Sequence, residues 1–145
     1  MNRRFFVFAG ILSVMQGTAL AKEDSNREML IDRLFRDDSE GIFDQLDKKI
    51  LLAVNECFEE MSIDQKAFVN HYGAYRTSAM NRECGGAPAS YHLHGKAIDL
   101  HLSSENVQKV RSFWKENNLG SAVHYRCKGF VHVDLREESM SWKSC

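Results

Sequence analysis

The sequence predicts an α+β domain, a small antiparallel sheet with helices packed on it. Three patterns carry that expectation. Apolar residues recur at helical spacing over 25–37 and 42–60 and again after Ser103. Residues 97–102 and 130–135 instead alternate with the period of two that marks strands. Just before the second of these, Cys127-Lys128-Gly129 reads as a three-residue hairpin loop containing glycine, which makes the last two strands antiparallel neighbours.

Each element follows from local chemistry. A first helix is expected over 25–37, where Ser25-Asn26-Arg27-Glu28 fits a capping box and Leu30, Ile31, Leu34 and Phe35 form an apolar stripe. Residues 37–41 break that pattern. A second helix is expected over 42–60, with Ile42, Phe43, Leu46, Ile50, Val54, Cys57, Phe58 and Met61 on one face. Residues 67–75 are rich in aromatic and β-branched side chains and predict a strand. One helical turn is expected over 79–83, after which Cys84-Gly85-Gly86-Ala87-Pro88 forces a loop. In the strand 97–102, Ile98, Leu100 and Leu102 share one face and Ala97, Asp99 and His101 the other. Ser103 and Ser104 cap a helix running to about Asn118, with Val107, Val110 and Trp114 as its core stripe and Gly120 at its end. The closing strands are 121–126 and 130–135, the latter turning Phe130, His132 and Asp134 to one side. The tail, with Trp142, is expected to be tied down through Cys145.

Length and charge narrow the class of protein. The chain has 145 residues, enough for one compact domain. Arg3 and Arg4, an apolar run over 5–15 and the small-x-small site Ala19-Leu20-Ala21 read as a secretory signal. Residues 1–21 are therefore set apart from a single domain over 22–145, helical over 22–62. Without Arg3 and Arg4 the basic count falls from 19 to 17 against 20 acidic residues, a net charge of −3. That balance excludes nucleic acid as the main partner. No segment after the signal is apolar enough to span a bilayer. A monomer exported to the periplasm is expected. Four cysteines in an exported chain favour two disulfides. Spacing does not rank the three connectivities; Cys84 with Cys127, leaving Cys57 for Cys145, is the working pairing.

Two short stretches carry the chemistry. The first is Ser90-Tyr91-His92-Leu93-His94-Gly95-Lys96-Ala97-Ile98-Asp99, and the second is Gly129-Phe130-Val131-His132-Val133-Asp134. A catalytic zinc takes three protein ligands and keeps one open position. His92 on a loop and Asp99 on the following strand are seven residues apart, and Gly95 lets the backbone turn between them. His132 reaches the same point if its strand neighbours that of Asp99. A single His and Asp at this spacing would more often be an ordinary polar loop. The whole string Ser-x-His-x-x-Gly-x-Ala-x-Asp, followed by Gly-Phe-Val-His-Val-Asp, shifts the balance toward a metal site.

With these motifs the chain resembles the M15 zinc peptidases, the D-alanyl-D-alanine carboxypeptidase and dipeptidase group, and most of all their small periplasmic murein endopeptidases. The likeness runs over 72–142 and includes Tyr75-Arg76-Thr77, Asn81 and Gly85-Gly86-Ala87-Pro88. It implies the fold shared with hedgehog domains, one zinc ion held by His92, Asp99 and His132, and contacts from Arg76 and Ser90 to substrate carboxylate or carbonyl groups. It also implies a zinc metallopeptidase that cuts stem or cross-link peptides of peptidoglycan. The pattern departs from the family at one place: Gly129 stands where several members carry an acidic base, and Phe130 where others carry a histidine. Asp134 is then the candidate base, or else the carboxylate that orients His132. His94, His101 and His124 are weaker candidates. The missing base also leaves open a zinc-containing module that binds peptidoglycan peptides without cutting them.

Overall fold

A computed structural model describes residues 18–36, 41–142, 144 and 145. Most of the expected signal segment, residues 1–17, and most of the break at 37–41 lie outside these. The fold is α+β, as the periodicities predict. Among the described residues four helices, α1 (Thr18–Leu34), α2 (Lys48–Glu60), α3 (Ser78–Glu83) and α4 (Ser104–Glu116), accompany three strands, β1 (Ala97–Leu100), β2 (Ala122–Tyr125) and β3 (Phe130–Asp134). The sheet order is β1-β3-β2 and both pairings are antiparallel.

The helix starts differ from expectation for local reasons. α1 is already helical at Thr18, so Ser25 lies inside it and does not begin it. α2 begins at Lys48, where the Asp47 side chain accepts the Lys49 N–H at 2.9 Å, and not at Ile42. Residues 42–46 form turns instead, yet Phe43 and Leu46 are still buried, with Phe43 stacked on Phe35 at 4.4 Å between ring centroids. The buried stripe of α2 is Ile50, Leu51, Ala53, Val54, Cys57 and Phe58. α4 is capped by Ser103 and ends at Asn117; the left-handed residue after it is Asn118, at φ 52°, which relieves Gly120 of the role of terminator.

The strand expected over 67–75 does not form. Only isolated bridges occur there, Phe35 with Ala67 and Phe68 with His101. Asn70 ends the extended run, because its side chain accepts the Tyr72 N–H at 3.0 Å and its carbonyl accepts the Gly73 N–H at 2.8 Å.

One face of the sheet supplies the core. Ile98, Leu100, Val131 and Val133 are fully buried with Val107, Val110, Phe113 and Trp114 of α4 and with the α2 stripe. The other face carries Asp99 and His132, which are direct register partners. A 3-10 turn, Tyr91–His94, delivers His92 to this face and closes through Gly95 at φ 64°. A β-carbon at Gly95 would stand 2.1 Å from the Gln45 carbonyl oxygen. That oxygen belongs to backbone and cannot swing aside. Gly95→Ala should therefore lower unfolding stability by about 1–3 kcal/mol. The measurement is a fall in urea midpoint at unchanged m-value.

Candidate metal centre

The three expected ligands converge. His92 Nε2, Asp99 Oδ1 and His132 Nδ1 form a triangle with edges of 3.2 Å (His92–His132), 2.9 Å (His132–Asp99) and 3.3 Å (His92–Asp99). All three side chains are buried, and among the described residues they are the one His/Cys/Asp/Glu group able to hold a metal ion. β1–β3 pairing fixes two of them, and the turn at 91–94 brings the third.

Each ring is anchored through its other nitrogen. His92 Nδ1 lies 2.7 Å from the Ala74 carbonyl oxygen, which only accepts, so Nδ1 carries the hydrogen and Nε2 faces the centre with a lone pair. His132 Nε2 donates to Asp134 Oδ2 at 3.1 Å, which leaves Nδ1 as the bare nitrogen. Two lone pairs and a carboxylate oxygen thus point at one another inside the protein. Such a set calls for a cation. Zinc held at about 2.0–2.1 Å by each ligand spaces tetrahedral neighbours by about 3.3 Å, so the donor set fits.

The surroundings hold this arrangement in place. The Asp99 N–H donates to the Gly73 carbonyl at 2.7 Å, and Arg76 Nη2 donates to Asp99 Oδ2 at 3.2 Å. Arg76 also donates through Nε to the Tyr72 carbonyl, and Nη1 lies 3.5 Å from Asn81 Oδ1. The turn at 70–74, read from sequence as a strand, is therefore part of the site: its carbonyls position both His92 and Asp99. Ser90 Oγ accepts the His92 N–H at 3.3 Å, so the place the structure gives Ser90 is the cap of the turn bearing His92.

Asp134 lies behind His132 with its side chain fully buried. It accepts from the Ser121 N–H at 3.1 Å and from Arg136 Nε at 2.9 and 3.0 Å, and its carbonyl accepts from Trp114 Nε1 at 2.9 Å. That position suits orientation of His132, not proton exchange with a substrate. Of the weaker candidates, His124 pairs with Val131 and so faces away from His132. His101 sits between the Phe68 and Phe130 rings, 5.4 Å from each, and His94 is exposed. Sequence reasoning missed Arg136 and Tyr91, which stack beside the centre at 4.7 Å.

The disulfide pairing needs correction. The bridge joins Cys127 to Cys145, and Cys57 and Cys84 are free. Cys57 is fully buried in the α2 stripe, where burial first and Glu60 second push its thiol up to about 12. Its helical spacing with Val54 and Phe58 already marked it as core, and a free cysteine packs as a small hydrophobe. A separate cavity of about 600 Å³ near Arg33, Phe58 and Ile63 shares no residue with the metal centre.

These features define a domain with a preformed three-ligand centre able to take a metal ion. Residues 30–134, well over half of the chain, match the family described as Peptidase M15, and the chain belongs to that family. Over 65 residues, 43% of its length, it is 37% identical to a probable peptidoglycan L,D-endopeptidase, MepK, of Haemophilus influenzae. The match spans 35% of that protein.

Charge around the centre sets its response to pH. Burial pulls the His132 ring down, but hydrogen bonds to Asp134 and Asp99 and their charges more than offset this and raise it above the usual imidazole value. Burial pushes Asp99 and Asp134 up; the imidazoles, with Arg136 and the Ser121 N–H at Asp134, hold both well below the carboxylate range. His132 therefore stabilises the metal-free fold fully below about pH 6.5 and loses that contribution as pH rises through its higher folded value. The two aspartates contribute above about pH 3.9 and lose it as pH falls through their depressed values. Thermal melts of chelator-treated protein should peak between these limits, and added zinc should restore stability on the alkaline side, where neutral imidazole is the binding form. Asp134→Asn should weaken zinc affinity about 10–100-fold in competition with a chromogenic chelator.

Proposed function

We propose that the chain is a zinc-dependent peptidase acting on stem or cross-link peptides of bacterial peptidoglycan. One observation carries the reading: three buried acceptors face each other at 2.9–3.3 Å, each fixed from behind by a donor or acceptor of its own. Membership of a peptidase family supports the reaction class. The likeness to a protein named as a peptidoglycan endopeptidase supports the substrate class. The Cys127–Cys145 bridge suits an oxidising compartment, in keeping with export through the expected signal segment. Among the described residues no helix is long and apolar enough to cross a membrane.

His92, Asp99 and His132 would hold the ion. Zinc, when bound, would supply a water whose pKa is lowered toward about 7 and a Lewis acid for the scissile carbonyl. The chain's own groups do the rest. Ala74 and Asp134 keep the rings in the tautomers that bind, and Asp134 raises the basicity of His132. Arg76 aims Asp99 through its bond to Oδ2, and its guanidinium presents positive charge beside the centre, where a substrate carboxylate or a developing oxyanion would gain from it. Asp134, enclosed and fully bonded, is a positioning residue in this reading.

A second reading draws on Gly129. It is exposed, at φ 70°, with no side chain to serve as a base. On that reading the centre binds peptidoglycan peptides without cutting them. Incubation of the zinc-loaded protein with purified sacculi decides between the two by mass spectrometry. Hydrolysis should release new peptide termini, and both a chelator and His132→Ala should abolish it while circular dichroism shows the fold kept. Retention of peptides with no new termini would leave the binding module.

A further inference from the structure

We infer that Trp142 forms one wall of the substrate cleft, held beside His132 by the Cys127–Cys145 bridge, and that it serves peptide binding more than bond breaking. The inference rests on the peptidase reading above. After β3 the described residues form no helix or strand, yet the chain folds back across the site through a series of fixed points. Arg136 pairs with Asp134, and its guanidinium lies 4.7 Å from the Tyr91 ring and 5.2 Å from that of Trp142. The Met140 N–H donates to Ser121 Oγ at 2.8 Å, and Ser144 Oγ donates to the His124 carbonyl at 2.7 Å. Trp142 Nε1 donates to Tyr125 Oη. Its ring stands edge-on to His132, with centroids 5.3 Å apart and planes at 67°. Cys145 then closes the strap onto Cys127 in the β2–β3 turn.

The described residues of the strap make no ladder of backbone bonds, so its position rests on these side chains and on the covalent closure. The bridge, closing a loop of 18 residues, restricts the open chain and so favours the strapped state. Trp142 is only half-buried and lies against a ring that holds one corner of the metal triangle. A flat, rigid aromatic surface beside a buried polar centre is the usual means of binding the apolar flank of a peptide while polar groups fix its orientation. Trp114, the second tryptophan, is enclosed in α4 and its face is unavailable for this.

Four proteins test the inference: wild type, Trp142→Phe, Trp142→Ala and the double variant Cys127→Ser/Cys145→Ser. The first measurement is quenching of tryptophan fluorescence by bound cobalt, which needs no catalysis. The wild type should quench strongly, and the Cys127→Ser/Cys145→Ser protein should lose most of the quenching that Trp142→Phe also removes. Equal quenching in wild type and the double variant would overturn the role of the bridge. The second measurement is kcat and KM on a defined muropeptide dimer, with zinc content checked in each protein. KM should rise about tenfold in Trp142→Ala and in the double variant, about 1.4 kcal/mol of binding, with kcat and zinc content held and Trp142→Phe near wild type. An unchanged KM, or a loss confined to kcat, would overturn the wall. If the wild type cleaves nothing, the peptidase reading fails by itself. Calorimetric titration with the intact dimer then replaces KM, and absent or equal binding across the four proteins overturns the wall as well.

Discussion

Mutual repulsion among three acceptors is the interaction on which this structure turns. Two imidazole lone pairs and an ionised carboxylate are brought together out of water, an arrangement that costs free energy unless a cation or a proton sits among them. The fold imposes it through strand register. Asp99 and His132 are opposed because β1 and β3 pair at that register, and a slip of either strand by one residue would turn its ligand toward the hydrophobic face. Ile98 and Leu100 on β1, and Val131 and Val133 on β3, prevent the slip, since it would carry the slipped pair out of the core. The hydrophobic core is thus what keeps the polar triangle assembled.

Much of this was legible in the chain. The period-two alternation of 97–102 and 130–135 gave the strands, their faces and the shared side for Asp99 and His132. The Ser-x-His-x-x-Gly-x-Ala-x-Asp string gave the turn that lifts His92 to the same place, with Gly95 as its left-handed residue. What the sequence did not disclose depends on partners distant along the chain. Residues 67–75 have strand composition, but Asn70 and Gly73 close a turn whose carbonyls are needed by Asp99 and His92, 26 and 18 residues away. α2 starts at Lys48, where the Asp47 side chain caps it and the Asp47 N–H is held by the distant Gly95 carbonyl. Cysteine connectivity is a matter of geometry, and spacing carries little of it.

The role of Asp134 shows why a candidate residue needs its surroundings. On the strand it alternates with His132 and so shares its face, which made it eligible as a base. The structure adds Ser121, Arg136 and the ring of His132 around it, and seals it from solvent. Its neighbour in sequence, Arg136, balances its charge, so that the pair can be buried without an unpaired carboxylate.

The hydrogen bond from Trp114 to the Asp134 carbonyl joins the hydrophobic core directly to the support of His132. Were the centre to take an ion, binding and folding would be one equilibrium seen from two ends, because an ion that binds the native chain alone stabilises it by mass action. Each tenfold excess of free ion over its dissociation constant adds about 1.4 kcal/mol to the native state. Where metal is scarce, the unfolded fraction grows and proteolysis draws on it. For a chain whose native state held such an ion, supply of the ion would set how long each molecule survives, and with it how much of the protein a cell retains.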